Sequence, residues 1–182
     1  MKIYNNSELK LDSSIVTIGA FDGLHRGHQS LIKQAVKSAK QARVPSVVYT
    51  FNPPPRVLFQ NKQVLTTVPE KVELLKGLGI DYVILANFNH AYAARGALEF
   101  IQELYEIQPK EVIVGPDFTF GKEKLGNLNF LSQYFQVTVK PFVHCKRGEI
   151  ISSSRIRKLM ERNEMEQVKD LLGRKGLGIL NF

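Results

Sequence analysis

The 182-residue chain is poor in the features that would place it outside the cell or in a membrane. It contains one cysteine, Cys145. A single thiol excludes an internal disulfide framework and fits a reducing compartment. The N-terminus, MKIYNNSELK, lacks the apolar core of a secretory signal, and no run of eighteen apolar residues occurs anywhere. Internal repeats and low-complexity tracts are also missing, which removes solenoids and disordered tails. Only four histidines are present, and neither a third histidine nor a cysteine lies near the closest pair, so a protein-built zinc site is not expected. The expectation is a cytoplasmic chain with no membrane partner.

What is present is an ordinary globular composition, 43% hydrophobic and 23% charged, with a net charge of +8. A single domain spanning 1–182 is expected, with about 136–182 as its C-terminal strand and helix part. The positive residues are scattered. Their densest clusters, Lys122–Lys124 and Arg155–Lys158, sit beside other motif-like residues, which suits small phosphorylated ligands better than a nucleic-acid stripe.

Four β-rich apolar runs alternate with amphipathic stretches: Ile15–Ile18, Pro45–Phe51, Tyr82–Ala86 and Lys110–Gly115. The helical pattern after the first run carries Leu31, Ile32, Ala35, Val36 and Ala39 on one face. Thr67-Val-Pro-Glu70 reads as a capping box with proline just inside the helix. A further helix near 96–106 places Ala97, Phe100, Ile101, Leu104 and Tyr105 together. Between the second strand and the capping box, Asn52-Pro53-Pro54-Pro55-Arg56 reads as a stiff extended loop. The alternation predicts an α/β fold, Rossmann-like, with a mostly parallel sheet and helices on both faces. Ligands of such sheets bind beyond the carboxyl ends of the strands. The His motif, the Pro loop and Gly115–Gly121 should therefore face one crevice. A fifth strand is expected at Gln136–Lys140, followed by a turn through Lys146–Gly148 and two short helices.

The first strand runs through Gly19-Ala-Phe-Asp-Gly-Leu to His25-Arg-Gly-His28 and then into the first helix. Unpaired N–H groups at a helix start, two imidazoles and an intervening glycine make an anion pocket. Gly19, Phe21, Asp22, His25, Gly27 and His28 are its candidate residues. A second anion site is offered by Ser152-Ser153-Ser154-Arg155-Ile156-Arg157, three hydroxyls at a helix start with two guanidinium groups. His90 is read as a plain loop residue, and His144 and Cys145 receive no catalytic role.

These motifs resemble the H-x-G-H nucleotidylyltransferases, and within them the FMN adenylyltransferase (FAD synthetase) module of bacterial riboflavin kinase/FAD synthetases. Ile151–Arg157 matches the family's I-S-S-[ST]-R-I-R, Val114–Gly121 its V-G-x-[DN]-F-x-F-G, and Thr50–Pro55 its T-F-x-P-H-P. Leu65–Thr67 and Leu171–Arg174 also look like family segments. The resemblance implies transfer of AMP from ATP to FMN, giving FAD and pyrophosphate, with Mg²⁺ carried on the phosphates rather than in a protein cage. It implies that His25, His28 and Arg157 are catalytic, and that Ser152, Ser153, Ser154 and Arg155 hold phosphates. Asn52, Pro53, Asp117 and Phe118 are implied to border the flavin or nucleotide. Two departures stand out. Pro54 replaces the usual His of the Pro loop, and Lys175 a usual Pro. The chain stops where homologues usually continue, so a monofunctional enzyme without a riboflavin kinase domain is expected. Two other readings stay open: a nucleotidylyltransferase with a different phosphate acceptor, and a non-catalytic flavin- or RNA-binding regulator.

Overall fold

A computed structural model describes residues 1–60 and 62–174. Lys175 and the end of the glycine-rich tail lie outside them. Six strands form one sheet: β1 (Lys2–Tyr4), β2 (Ser14–Ile18), β3 (Ser46–Asn52), β4 (Tyr82–Asn87), β5 (Pro109–Val114) and β6 (Val137–Val139). Their order is β1-β4-β3-β2-β5-β6, and every pairing is parallel. The expected mostly parallel sheet is thus wholly parallel. The expectation omitted β1, a three-residue edge strand that is largely exposed and carries almost no apolar pattern.

The chain moves from β2 outward through β3 and β4, then returns across the sheet to place β5 on the other side of β2. That reversal leaves a gap beyond the carboxyl ends of β2 and β5, the usual location of a ligand crevice in an open α/β sheet.

Alternate residues of the central strands, buried on both faces, pack into cores on opposite sides of the sheet. Val16, Ile18, Val47, Tyr49, Val112 and Val114 face α5 (Ala97–Tyr105) and α6 (Leu128–Leu131), with Phe100, Leu104 and Leu131 in the same core. On the opposite face, Ile15 and Ile113 meet Ala35 and Ala39 of α1 (Arg26–Ala42). Val48 and Val83 meet Ile32 of α1 and Leu75 of α3 (Val68–Gly77). Two buried hydroxyls on β2 are satisfied by β5 and its approach: Ser14 donates to the Ile107 carbonyl and Thr17 to that of Ile113.

The expected capping box is present: Thr67 Oγ1 accepts from the Glu70 N–H, and the Glu70 carboxylate accepts from the Thr67 N–H at 2.8 Å. The Pro loop is different from its expectation. After the cis Asn52–Pro53 bond the chain enters a short helix, α2 (Pro55–Gln60), rather than remaining extended. Pro55 stands at the first helical position, where a missing N–H costs nothing. Tyr105 is exposed rather than facing the core, and Glu103 is buried in its stead. His90 begins the one-turn α4 (His90–Ala93) rather than lying in loop. The last third forms α7 (Ser153–Glu161) and α8 (Met165–Leu172), which enclose a small core of their own around Ile156, Leu159, Val168 and Leu172.

Ile113 is fully buried between β2 and α1. Ile113→Ala should lower unfolding stability by roughly 2–5 kcal/mol, read from the denaturant midpoint with unchanged slope.

Candidate active site

The crevice beyond β2 and β5 has a volume of 350 Å³. It is walled by the H-x-G-H turn, the start of α7, Pro54–Arg56, and Gly115–Thr119. Sequence positions more than 120 residues apart therefore meet across one gap.

His25 is the N-cap of α1, an unusual choice, since its ring nitrogen Nδ1 accepts from the His28 N–H at 3.4 Å. That bond leaves the imidazole proton on Nε2, where it can be donated. The His25 and His28 rings stack with centroids 3.6 Å apart, and the Phe21 ring stands edge-on to His28 at 5.3 Å. Burial is the principal reason that His25 is held near pKa 4, with the Arg174 charge adding to it. Burial also depresses His28, helped by His25 and Lys71. Both imidazoles are neutral hydrogen-bonding groups at pH 7. His28 Nδ1 is buried with no hydrogen-bond partner among the described residues. Gly27 accounts for the tight stack: a Cβ there would stand 3.1 Å from His25 Nδ1.

Asp22 joins the two halves. Its Oδ1 accepts from the Leu65 and Thr66 N–H groups at 2.9 and 3.2 Å, and its Oδ2 pairs with the Arg157 guanidinium. Its own carbonyl accepts from the Ser153 hydroxyl at 2.8 Å. Burial pushes the Asp22 carboxyl upward, and Arg157, the two N–H groups and Lys71 oppose that shift. The remaining site hydroxyls are also engaged. Ser152 caps α7 by accepting from the Arg155 N–H at 3.2 Å, and Ser154 accepts from Arg56 of α2.

The structure separates some residues that the sequence grouped. His25, Gly27, His28, Ser152, Ser153 and Arg157 line the crevice, as do Gly19, Phe21, Asp22, Asp117 and Phe118. Ser154 and Arg155 line not the crevice but a neighbouring cavity that shares Ile150 and Ser152 with it. The Arg155 guanidinium is spent on Glu149 and on Cys145 Sγ at 3.2 Å. Asn52 and Pro53 line neither the crevice nor the groove beside it; they form the turn that delivers Pro54 to the crevice wall.

Two supporting residues, Lys71 and Arg174, received no site role from the sequence. Lys71 is 3% exposed and donates to the Ala20 carbonyl at 2.9 Å, which also accepts from Thr50 Oγ1 at 3.1 Å. Burial lowers Lys71 to about pKa 8, and Asp22 acts against the fall. A lysine on the apolar side of a helix was the available signal. Arg174, at the end of α8, donates to the carbonyls of Gly23 and Leu24 at 2.8 and 3.2 Å.

A second hollow of 490 Å³ adjoins the crevice and shares Phe51, Arg56, Asp117 and Phe118 with it. Its walls are aromatic: Phe51, Phe59, Phe88 and Tyr92 touch one another at centroid distances of 5.4–6.2 Å. Beneath it, the buried Glu103 carboxylate accepts from Tyr49 (2.6 Å), Tyr92 (3.3 Å) and Arg95 (2.7 Å). Among the described residues, no group of three or more His, Cys, Asp or Glu side chains could hold a metal ion. Asp22, a crevice carboxylate, has both oxygens occupied.

A parallel sheet whose switch-point crevice joins an H-x-G-H helix start to a second helix start defines a nucleotidylyltransferase domain. A family model described as FAD synthetase matches residues 7–155, and the chain belongs to that family. Within it, this is an FMN adenylyltransferase domain of the nucleotidyltransferase class. The chain is similar to a putative bifunctional riboflavin kinase/FMN adenylyltransferase of Geobacillus thermodenitrificans, 47% identical over 174 residues, covering 95% of this chain and 97% of that one. It is 32% identical over 181 residues to the bifunctional riboflavin kinase/FMN adenylyltransferase of Escherichia coli K12, spanning 94% of this chain and 58% of the other. A crystal structure named as a macrolide-efflux protein from Streptococcus pneumoniae superposes with a TM-score of 0.84 at 30% identity, covering 96% of this chain and 62% of that one. No helix among the described residues is long and apolar enough to cross a membrane.

Asp22→Ala should cost about 3–5 kcal/mol, because it strands the Arg157 charge and two buried N–H groups. Denaturant unfolding of the variant measures this loss. Stability should also depend on pH through the histidines. Their folded pKa values lie below the unfolded value of about 6.5, so the unfolded chain binds more protons as the solution is acidified. Stability is full above that value and falls as pH drops toward about 4, the folded value of His25. The pH dependence of the unfolding midpoint should flatten in the His25→Asn/His28→Asn double variant.

Proposed function

We propose that the chain transfers AMP from ATP to FMN, forming FAD and pyrophosphate, in the cytoplasm. The observation that carries the reading is the convergence of His25, Gly27 and His28 with Ser152, Ser153 and Arg157 on one crevice. An FMN phosphate oxygen attacks the ATP α-phosphorus, and the bond from that phosphorus to the oxygen bridging to the β-phosphorus breaks. The pyrophosphate leaves with the bonding electron pair.

The FMN phosphate is already ionised, so the step needs no strong base. It needs alignment and donors where charge gathers. Neutral His25 and His28 suit that task as N–H donors. Ser152 and Ser153, with the unpaired N–H groups at the start of α7, are assigned to the β- and γ-phosphates. Arg157 acts there while held by Asp22. Mg²⁺ is assigned to the ATP phosphates as part of the substrate.

The aromatic hollow supports flavin as the acceptor. It is aromatic-walled, shares Asp117 and Phe118 with the crevice, and at 490 Å³ is large enough for a fused ring system to lie beside Phe51, Phe88 and Tyr92. That observation favours FMN over an acceptor lacking a large planar ring.

Incubation with ATP, Mg²⁺ and FMN should yield FAD and pyrophosphate in equal amounts. His28→Ala should lower kcat by about 10²–10³-fold. Turnover with another phosphate acceptor but not FMN, or FMN binding without turnover, would replace the reading.

A further inference from the structure

The sequence offers Arg155 and Arg157 as the cationic clamp, yet both are neutralised. Arg155 pairs with Glu149 and faces away from the crevice, and Arg157 pairs with Asp22. The start of α7 carries the Ser153 and Ser154 N–H groups, which have no acceptor within the helix. At this positive end stands the guanidinium of Arg56, donating to the Ser154 hydroxyl. Among the described residues Arg56 pairs with Ser154 and with no carboxylate. A cation at a helix N-terminus opposes the helix dipole, so the arrangement is electrostatically incomplete without an anion. Elsewhere in the lining of the crevice is His28, whose Nδ1 is buried and has no hydrogen-bond partner among the described residues.

We propose that Arg56 is a further catalytic residue, binding the pyrophosphate portion of the nucleotide and meeting the charge that gathers on it as it leaves. The inference rests on the AMP-transfer reading above. Arg56 reaches the crevice because the turn at Asn52–Pro54 feeds directly into α2, whose second residue it is. It lines both the crevice and the aromatic hollow, so it occupies the boundary between nucleotide and acceptor. A guanidinium there can fork two phosphate oxygens, completing an anion site that otherwise has N–H and hydroxyl donors and a neutralised arginine. The Pro54 position, where the resemblance gives His, supplies no donor, and Arg56 lies two residues further along the same segment.

The test is calorimetric titration of the full chain with magnesium pyrophosphate, using wild type, Arg56→Ala and Arg56→Lys. Arg56 is exposed, so neither variant should disturb folding. Arg56→Ala should weaken pyrophosphate binding roughly 10- to 100-fold, and Arg56→Lys should recover part of it. FMN affinity, followed by flavin fluorescence, should be unchanged, and kcat should fall while the KM for FMN holds. Unchanged pyrophosphate binding in Arg56→Ala overturns the assignment, as does wild type that fails to bind pyrophosphate. Loss of FMN affinity with pyrophosphate binding intact also overturns it, placing Arg56 on the acceptor phosphate. Arg56-dependent pyrophosphate binding by a wild type that makes no FAD upholds the assignment while rejecting FMN as the acceptor.

Discussion

The Asp22–Arg157 ion pair is the constraint on which the site depends. Helix α7 belongs to a small core of its own, around Ile156 and Leu172, and that core does not by itself fix where the helix points. Asp22 fixes it by gathering Arg157 and the Leu65 and Thr66 N–H groups around one carboxylate, while its carbonyl takes the Ser153 hydroxyl. A buried carboxylate is costly to dehydrate, and the cost is offset only when its acceptor capacity is filled. Here both oxygens are used, so the pair acts as a positional lock between the β2–α1 turn and α7.

Around that lock the electrostatics rest on buried and paired groups rather than on bare charge. Burial keeps His25 and His28 neutral. Lys71 lies behind the turn, fixing the Ala20 carbonyl together with Thr50. Arg174 performs the same service for the Gly23 and Leu24 carbonyls from the end of α8. Three separate elements therefore hold one short loop, and a rigid loop is what alignment-driven transfer requires.

The aromatic hollow shows a second use of buried polarity. Glu103 projects from α5 into the core and is matched by two phenols and Arg95. This fixes the Tyr92 ring, which forms part of the hollow's wall, and Arg95 additionally lies 4.7 Å over that ring. The shape of the hollow is thus tied to a hydrogen-bonded group beneath it.

By itself the sequence determined the α/β class, the four main strands, the helix faces and caps, and the two motif-bearing helix starts. Each of these is local: strand alternation, helical period, capping side chains and proline act over a few residues and leave a direct trace in their order. The edge strand Lys2–Tyr4 left none, being short and exposed, and α2 was hidden behind prolines that suit either a loop or a first helical turn. Only the tertiary structure decided which charges meet. Arg155 and Arg157 are two residues apart, but successive helical positions point in different directions, so one faces Glu149 and the other Asp22. The burial of Glu103 and Lys71, and the reach of Arg56 to Ser154, likewise depend on partners brought in by folding from elsewhere in the chain.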